Sequence, residues 1–142
     1  MAGIIAEYDP LHNGHAWHIA QARAASGDEP TVVVMSCCFT QRGMPALLSP
    51  HARAEMALRA DLVLDLPTAF AVRDAEHFAL GGVSILARTG LVHSLSFGVD
   101  PGNEDCILPA AQLLETPDST FQAALRKGLD QGLPFPRAQG EA

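Results

Sequence analysis

The sequence predicts an α/β fold, with a Rossmann-like parallel sheet and flanking helices. Uninterrupted apolar runs rich in β-branched residues are typical of the central strands of such a sheet, because both of its faces are covered. Helical patterns fill the stretches between these runs, and this alternation predicts βαβ units with right-handed crossovers. The two clearest runs are residues 3–8 and 31–35, and weaker ones are residues 62–66 and 91–97.

The first two helices have recognisable ends. Residues 15–25 are rich in Ala and lead to Gly27, a residue suited to terminating a helix. Ser49 and Pro50 are an N-cap residue and a first-turn residue, and they predict a helix over residues 51–60. We also expect Trp17, on the first helix, to belong to the core.

The second half of the chain continues the pattern more weakly. Residues 133–142 show no core pattern, so we expect one domain over residues 1–132, followed by a linker or the start of a continuation. Further helices are predicted at residues 75–89, where Gly81 and Gly82 weaken the middle, and at residues 107–114 and 119–129.

Composition limits the classes of function. The chain of 142 residues has a net charge of −7, from 9 Lys and Arg against 16 Asp and Glu, so an RNA partner would need a local basic patch. The three cysteines, Cys37, Cys38 and Cys106, include no CxxC pair, which argues against a disulfide framework or a structural zinc site. With no signal peptide and no apolar run of membrane-spanning length, we expect a cytoplasmic protein without a membrane partner.

The segment over residues 7–15 contains the candidate phosphate-binding and catalytic residues. It follows the first predicted strand and leads into the first predicted helix, at the strand end where open α/β sheets bind ligands. A helix that begins near Gly14 directs main-chain N–H groups and its positive dipole end at this point, which favours phosphate. His12 and His15 can donate hydrogen bonds to phosphate oxygens and stabilise the charge that develops during phosphoryl transfer.

The order of several motifs resembles the tRNA(Met) cytidine acetate ligase family. Residues 3–18, GIIAEYDPLHNGHAWH, resemble that family's GxxxEYNPFHNGHxxH, and residues 34–46, VMSCCFTQRGMPA, resemble VMSGNFxQRGEPA. Residues 61–67, DLVLDLP, resemble DLVxELP. Shorter likenesses occur at residues 53–58, 75–79, 96–98 and 133–138.

This resemblance implies an ATP-binding nucleotidyltransferase-like domain that activates acetate as acetyl-adenylate. The acetyl group would then pass to N4 of the wobble cytidine of elongator tRNA(Met), with Mg²⁺ as a candidate companion of ATP. The implied catalytic residues are His12, His15 and Arg42, and no metal ligand is assigned. The implied ATP site comprises Ile5, Ala6, Glu7, Tyr8, Asp9, Pro10, Leu11, His12, Asn13, Gly14, His15, His18 and Gly98.

The sequence departs from the family at informative positions. Cys37 and Cys38 stand where the family has Gly-Asn, and Met44 replaces an acidic residue. Family members also continue past residue 142 with a segment that completes the nucleotide site and a helical region that helps to grip tRNA. We therefore expect the full reaction to be incomplete in this chain alone.

Several residues allow two interpretations. Cys37 and Cys38 are a reactive or metal-binding pair or, as we favour, packed thiols. Arg53, with Glu55 and Arg59, is either functional or part of a solvated helix face. Asp61 and Asp65, which flank a predicted strand, could hold Mg²⁺ beside ATP, although Asp65 could equally terminate that strand.

Two other functions stay open at this point. The HxGH motif also occurs in nucleotidyltransferases that act on small molecules. A chain of this charge and length is also compatible with a non-catalytic nucleotide-binding remnant.

Overall fold

A single parallel sheet of four strands organises the computed structural model, which describes residues 1–142. The strands are β1 (Ala2–Ala6), β2 (Thr31–Ser36), β3 (Leu62–Leu66) and β4 (Ser94–Leu95), in the order β3-β2-β1-β4. β1 pairs with β2 from Ala2 opposite Thr31 to Ala6 opposite Met35. The predicted α/β class, with a parallel sheet and flanking helices, is confirmed.

Helices and loops connect the strands, and helices continue after β4. None of them has the length and apolar character that crossing a bilayer requires. They are α1 (Asn13–Ala25), α2 (Pro50–Ala57), α3 (Thr68–Ala71), α4 (Ala75–Arg88), α5 (Ile107–Glu115), α6 (Ser119–Asp130) and α7 (Phe135–Gly140), with a 3₁₀ turn at Glu104–Cys106. The predicted cap of α2 is present, because the Ser49 hydroxyl accepts the Ala52 N–H at 3.2 Å.

Each face of the sheet has its own apolar core. On one face Ile4, Val33 and Met35 pack with residues of α1 and α2, including Ile19 and Ala57. On the other face Val32, Val34 and Leu66 pack with Ala71 of α3 and Leu86 of α4. Neighbouring residues of β2 therefore serve opposite cores, as side-chain alternation in a strand requires.

Tight contact between α4 and the sheet depends on glycine. A Cβ built on Gly82 would lie 2.7 Å from side-chain atoms of Ile5, and one on Gly81 would lie 2.6 Å from Phe70. The glycine pair that weakens the helical pattern in the sequence therefore allows α4 to pack closely against β1 and α3.

Contacts divide the chain into two compact units, Met1–Gly98 and Val99–Ala142. The first unit contains the sheet with α1 to α4. In the second, α6 packs against α7, and Phe121 and Ala138 are buried. The single domain over residues 1–132 stays a prediction.

Three local expectations differ from the structure. Trp17 is 66% exposed and is not part of either core, so its assignment to the core was wrong. The strand expected over residues 91–97 is reduced to Ser94–Leu95. Residues 133–142 include helix α7, whose Ala138 packs near Gly128, so the segment does carry a buried position that its sequence pattern does not reveal.

Candidate functional site

A cavity of about 520 Å³ opens at the carboxyl end of β1, within the first unit. From β1 the chain moves outward to β2 and β3 and then returns to place β4 on the other side of β1. Between β1 and β4 the direction of winding reverses, and this is where open α/β sheets bind ligands. The cavity is lined by Ile4, Ile5, Ala6, Glu7, Tyr8, Asp9, Pro10, His12, His15, His18, Phe97 and Gly98.

Two histidines cap the first helix reciprocally beside this cavity. The Nδ1 atom of His12 accepts the N–H groups of Gly14 at 3.1 Å and His15 at 3.4 Å. In return, Nδ1 of His15 accepts the His12 N–H at 3.3 Å. This is the geometry of a capping box, built here from two imidazoles instead of a hydroxyl and a carboxylate.

The capping box determines which ring nitrogen carries the proton. Because Nδ1 of His12 and Nδ1 of His15 both act as acceptors, each neutral ring has its proton on Nε2. Each Nε2–H is then a donor that the helix cap does not use. The first turn of α1 contains no acidic residue, so nothing there opposes the positive end of the helix dipole.

Burial favours the neutral form of His15 and His18. The pKa of His15 is lowered, chiefly by burial and further by the neighbouring His12 and His18. Burial also lowers the pKa of His18, whose Nε2 lies 2.9 Å from the Ser96 hydroxyl oxygen. His18 therefore links α1 to the segment after β4, and its Nε2 already has a protein partner.

The Tyr8 ring packs against the ring of His15. The φ of Tyr8, 49°, is in the left-handed region, which turns the chain sharply after β1. The ring is buried and lies 4.8 Å from the His15 ring between centroids, and burial raises the pKa of its hydroxyl to about 12. The Tyr8 hydroxyl is buried without a hydrogen-bond partner, so the residue acts as an apolar support for His15.

Arg53 fastens the ends of β1 and β2 to each other. Its fully buried guanidinium donates to the main-chain oxygens of Glu7 at 2.6 Å and Ser36 at 2.7 Å, and also to that of Cys37. No carboxylate pairs with it. Of the two interpretations of Arg53, a solvated helix face is therefore excluded.

The loop between β2 and α2 is attached to the cavity wall. The Glu7 carboxylate accepts the Gln41 N–H, and Asp9 Oδ1 accepts the Leu47 N–H at 2.7 Å. Two acidic residues of the motif thus hold the loop that carries Arg42. Arg42 itself is exposed in the turn formed by the Gly43 N–H to Thr40 oxygen bond at 2.9 Å, and it does not line the cavity.

The structure brings together ten of the thirteen residues expected in the ATP site. Gly14 contributes to the helix cap, and Leu11 packs against the first core. The sequence motif did not reveal Ile4 or Phe97, both of which line the cavity; Phe97 is 61% exposed and precedes Gly98. The residues that do not line the cavity are Leu11, Asn13 and Gly14.

The two carboxylates of the cavity wall are already engaged by main-chain N–H groups, and Mg²⁺ stays a prediction. These are the carboxylates of Glu7 and Asp9, and no group of three or more His, Cys, Asp or Glu side chains is arranged to hold a metal ion. Asp61 lies at the amino ends of β2 and β3, away from the cavity, where it accepts the Thr31 N–H at 2.8 Å and pairs with Arg23. We therefore derive no step through Mg²⁺.

A second cavity, of about 580 Å³, lies in the other unit on one face of α6 and includes Arg126 and Lys127. It is a groove along a single helix, lined from Ser119 to Gln131, and no strand contributes to it. The cavity at the end of β1 combines strand ends with the N-terminus of α1, and we take it as the candidate functional site.

The parallel sheet and the site at the end of β1 place the chain in the nucleotidyl transferase class of folds. The model of the HIGH Nucleotidyl Transferase family matches residues 1–142, and the chain belongs to this family.

Individual relatives show which members of the family this chain is similar to. The tRNA(Met) cytidine acetate ligase of Halothermothrix orenii is 42% identical over 142 residues, which are 99% of this chain and 34% of the relative. The enzyme of the same name from Alkaliphilus metalliredigens is 44% identical, with the same coverage. The crystal structure of Thermotoga maritima TmcAL bound with alpha-thio ATP superposes with a TM-score of 0.89 at 40% identity, covering 97% of this chain and 34% of that one. The family resemblance is thus confirmed, and the chain spans about a third of the length of these relatives.

Proposed function

We propose that this chain binds ATP at the end of β1 and activates acetate as acetyl-adenylate, for N4-acetylation of the wobble cytidine of elongator tRNA(Met). In the first step an acetate oxygen attacks the α-phosphorus of ATP, and pyrophosphate leaves with the electrons of the broken P–O bond. In the second step the cytidine N4 attacks the acetyl carbonyl, loses a proton and releases AMP.

The observation that carries the proposal is the reciprocal capping of α1 by His12 and His15. It leaves two Nε2–H donors at a helix N-terminus, in a cavity of about 520 Å³. Donors fixed before substrate arrives stabilise the charge on the phosphates and on the leaving pyrophosphate without reorganising. The bound alpha-thio ATP of the Thermotoga maritima structure supports ATP as the nucleotide.

The part of the cavity wall formed by Phe97 and Gly98 suits the nucleoside. Phe97 offers an exposed aromatic ring at the cavity edge, and a side chain added at Gly98 would meet only open space. We assign this wall to adenosine, so that the phosphates extend toward the histidines. Arg42 lies on a loop that Glu7 and Asp9 hold to the cavity wall, and we assign it to the acyl or phosphate end.

Acetate and tRNA enter the proposal from the names of the relatives. With a net charge of −7, the chain needs a basic region to hold tRNA. The adenylation step can therefore be tested separately from the transfer step.

The first experiment is calorimetric titration of ATP into the 142-residue chain and into His12→Ala, followed by measurement of pyrophosphate release with acetate. The proposal expects binding that His12→Ala weakens at least tenfold, and release that depends on acetate. Binding without acetate-dependent release would instead identify a nucleotide-binding module. Release with a small nucleotide-accepting molecule, but not with acetate, would identify a different transferase.

A further inference from the structure

Cys37 and Cys38 directly follow the last residue of β2 and bring their thiols together. Their Sγ atoms are 3.5 Å apart, Cys37 is half-buried and Cys38 is exposed. In a continuing strand, neighbouring side chains would point to opposite faces. The pair therefore depends on the chain leaving the strand conformation at this point. The exposure of Cys38 also corrects the expectation that both thiols are packed.

A disulfide is a poor product of this pair. Neighbouring Cα atoms across a trans peptide are about 3.8 Å apart, whereas disulfides usually need at least about 4.4 Å. An S–S bond would also have to shorten the sulfur separation to about 2.0 Å. A bridging centre needs much less movement, since two thiolates each about 2.3 Å from one tetrahedral atom lie about 3.8 Å apart.

The main chain beneath the thiols is held in place. Arg53 donates to the main-chain oxygens of Ser36 and Cys37, and Ala46 donates its N–H to the Cys38 oxygen at 2.9 Å. Little conformational freedom is then left to lose when a ligand joins both sulfurs. No third metal-binding side chain completes a group of three, so ions that require four protein ligands do not fit.

The geometry points to a two-thiol binding site at Cys37 and Cys38 for a soft, thiophilic centre that two sulfur ligands satisfy, with monosubstituted trivalent arsenic as the matching ligand class. This inference does not depend on the proposed nucleotide chemistry.

The reaction with phenylarsine oxide balances without any oxidant. The two S–H bonds break, two As–S bonds form, and the arsenic oxygen leaves as water with the two protons. Arsenic stays trivalent throughout. The first bond forms at the exposed Cys38, and the neighbouring Cys37 then closes the ring.

The chain supplies its own control in Cys106, an exposed single thiol in the second unit. The test treats the reduced 142-residue chain, Cys37→Ser, Cys38→Ser and Cys106→Ser with one equivalent of phenylarsine oxide. Intact mass and the number of free thiols are then measured. We expect one adduct and the loss of two thiols in the native chain and in Cys106→Ser. Excess 2-mercaptoethanol should leave this adduct in place, and dithiothreitol should remove it.

In Cys37→Ser and Cys38→Ser, the adduct should be at least tenfold weaker and should be removed by 2-mercaptoethanol. Circular dichroism checks the fold of each variant. Because Cys38 is exposed, Cys38→Ser should disturb the fold less than Cys37→Ser. An adduct of equal strength in Cys38→Ser, or no dithiol-specific adduct in the native chain, would overturn the inference. Tighter binding of Zn²⁺ than of the arsenical would also overturn it.

Discussion

The rings of His12 and His15 stack with their centroids 3.6 Å apart, and each accepts the main-chain N–H of the other through Nδ1. One nitrogen of each ring therefore serves the helix, and the other is free to serve a ligand. Helix stability and phosphate binding are thus assigned to different atoms of the same side chain. Substitutions can separate the two roles.

His12→Asp should keep the cap and lose the ligand contact. Aspartate is a good N-cap residue, so the free energy of unfolding should stay near that of the native chain, whereas His12→Ala should lose about 1 kcal/mol. The aspartate has no N–H donor and places a negative charge where phosphate is expected. ATP affinity, measured by calorimetry, should therefore fall more in His12→Asp than in His12→Ala. Stronger ATP binding by the aspartate variant would contradict the assignment of Nε2–H to phosphate.

Removal of the Arg53 guanidinium should damage both the fold and the cavity. Arg53→Met leaves the main-chain oxygens of Glu7, Ser36 and Cys37 without their donor, at a cost of about 1–3 kcal/mol for each buried group that stays unsatisfied. We expect a loss of roughly 3 kcal/mol or more in urea unfolding. The free energy of unfolding of Arg53→Lys should fall between those of the native chain and Arg53→Met, because an ammonium group cannot reproduce the planar fork of the guanidinium.

Arg59 is the matched control for Arg53, since it carries the same charge six positions later and is exposed. Arg59→Met should change the free energy of unfolding by no more than about 0.5 kcal/mol. Equal losses in the two variants would mean that net charge, and not the buried contacts, sets the effect.

The sequence was sufficient to predict the sheet and the motif because both depend on local patterns. The apolar run of β2 is buried along its whole length, and the HxGH motif lies between a strand and a helix as expected. Arg53 could not be assigned in the same way. Its partners are main-chain oxygens at sequence separations of 46, 17 and 16 residues, which leave no trace in residue type.

Trp17 and α7 show a second limit of prediction from the sequence. An aromatic residue on an Ala-rich helix is usually buried, but here α1 uses Ile19 and Ala22 for the core, and Trp17 remains exposed. In α7 the buried residue is a single alanine that fits beside Gly128, a contact too small to produce a hydrophobic period. Phe97 was missed because its place in the cavity follows from the order of strands and not from the motif.

Gly82→Ala should destabilise the chain, although alanine favours helices. The added Cβ would lie 2.7 Å from Ile5 side-chain atoms, and overpacking of this kind costs typically about 1–3 kcal/mol. The gain in helix propensity offsets only about 1 kcal/mol of this. Gly140→Ala, at a helical position with no atom within 4 Å of the new Cβ, is the control and should be neutral or slightly stabilising. Urea unfolding distinguishes the two, and a stabilised Gly82→Ala would show that α4 can move away from β1.

Stability should fall as the pH is lowered from about 7.5 to 5, because His15 and His18 are harder to protonate in the folded chain. Burial lowers the pKa of both below the ordinary value of 6.5, so between the folded and unfolded pKa values the unfolded chain binds more protons. The free energy of unfolding therefore rises with pH through this window. It levels off above about 6.5. Hydrogen bonds lower the pKa values of Asp61 and Asp74, so these carboxylates change the free energy of unfolding at more acidic pH than the histidines do.

His15→Gln isolates the part of this pH dependence that comes from the cap. Glutamine at the third position of a helix can reach back to the N-cap N–H as His15 does, but it does not titrate in this range. Urea unfolding of His15→Gln at pH 5, 6 and 7.5 should show a smaller change in free energy than the native chain. The remaining change should disappear when His18→Gln is added. An unchanged slope in the double variant would place the titrating group outside the histidine cluster and would contradict this explanation of the pH dependence.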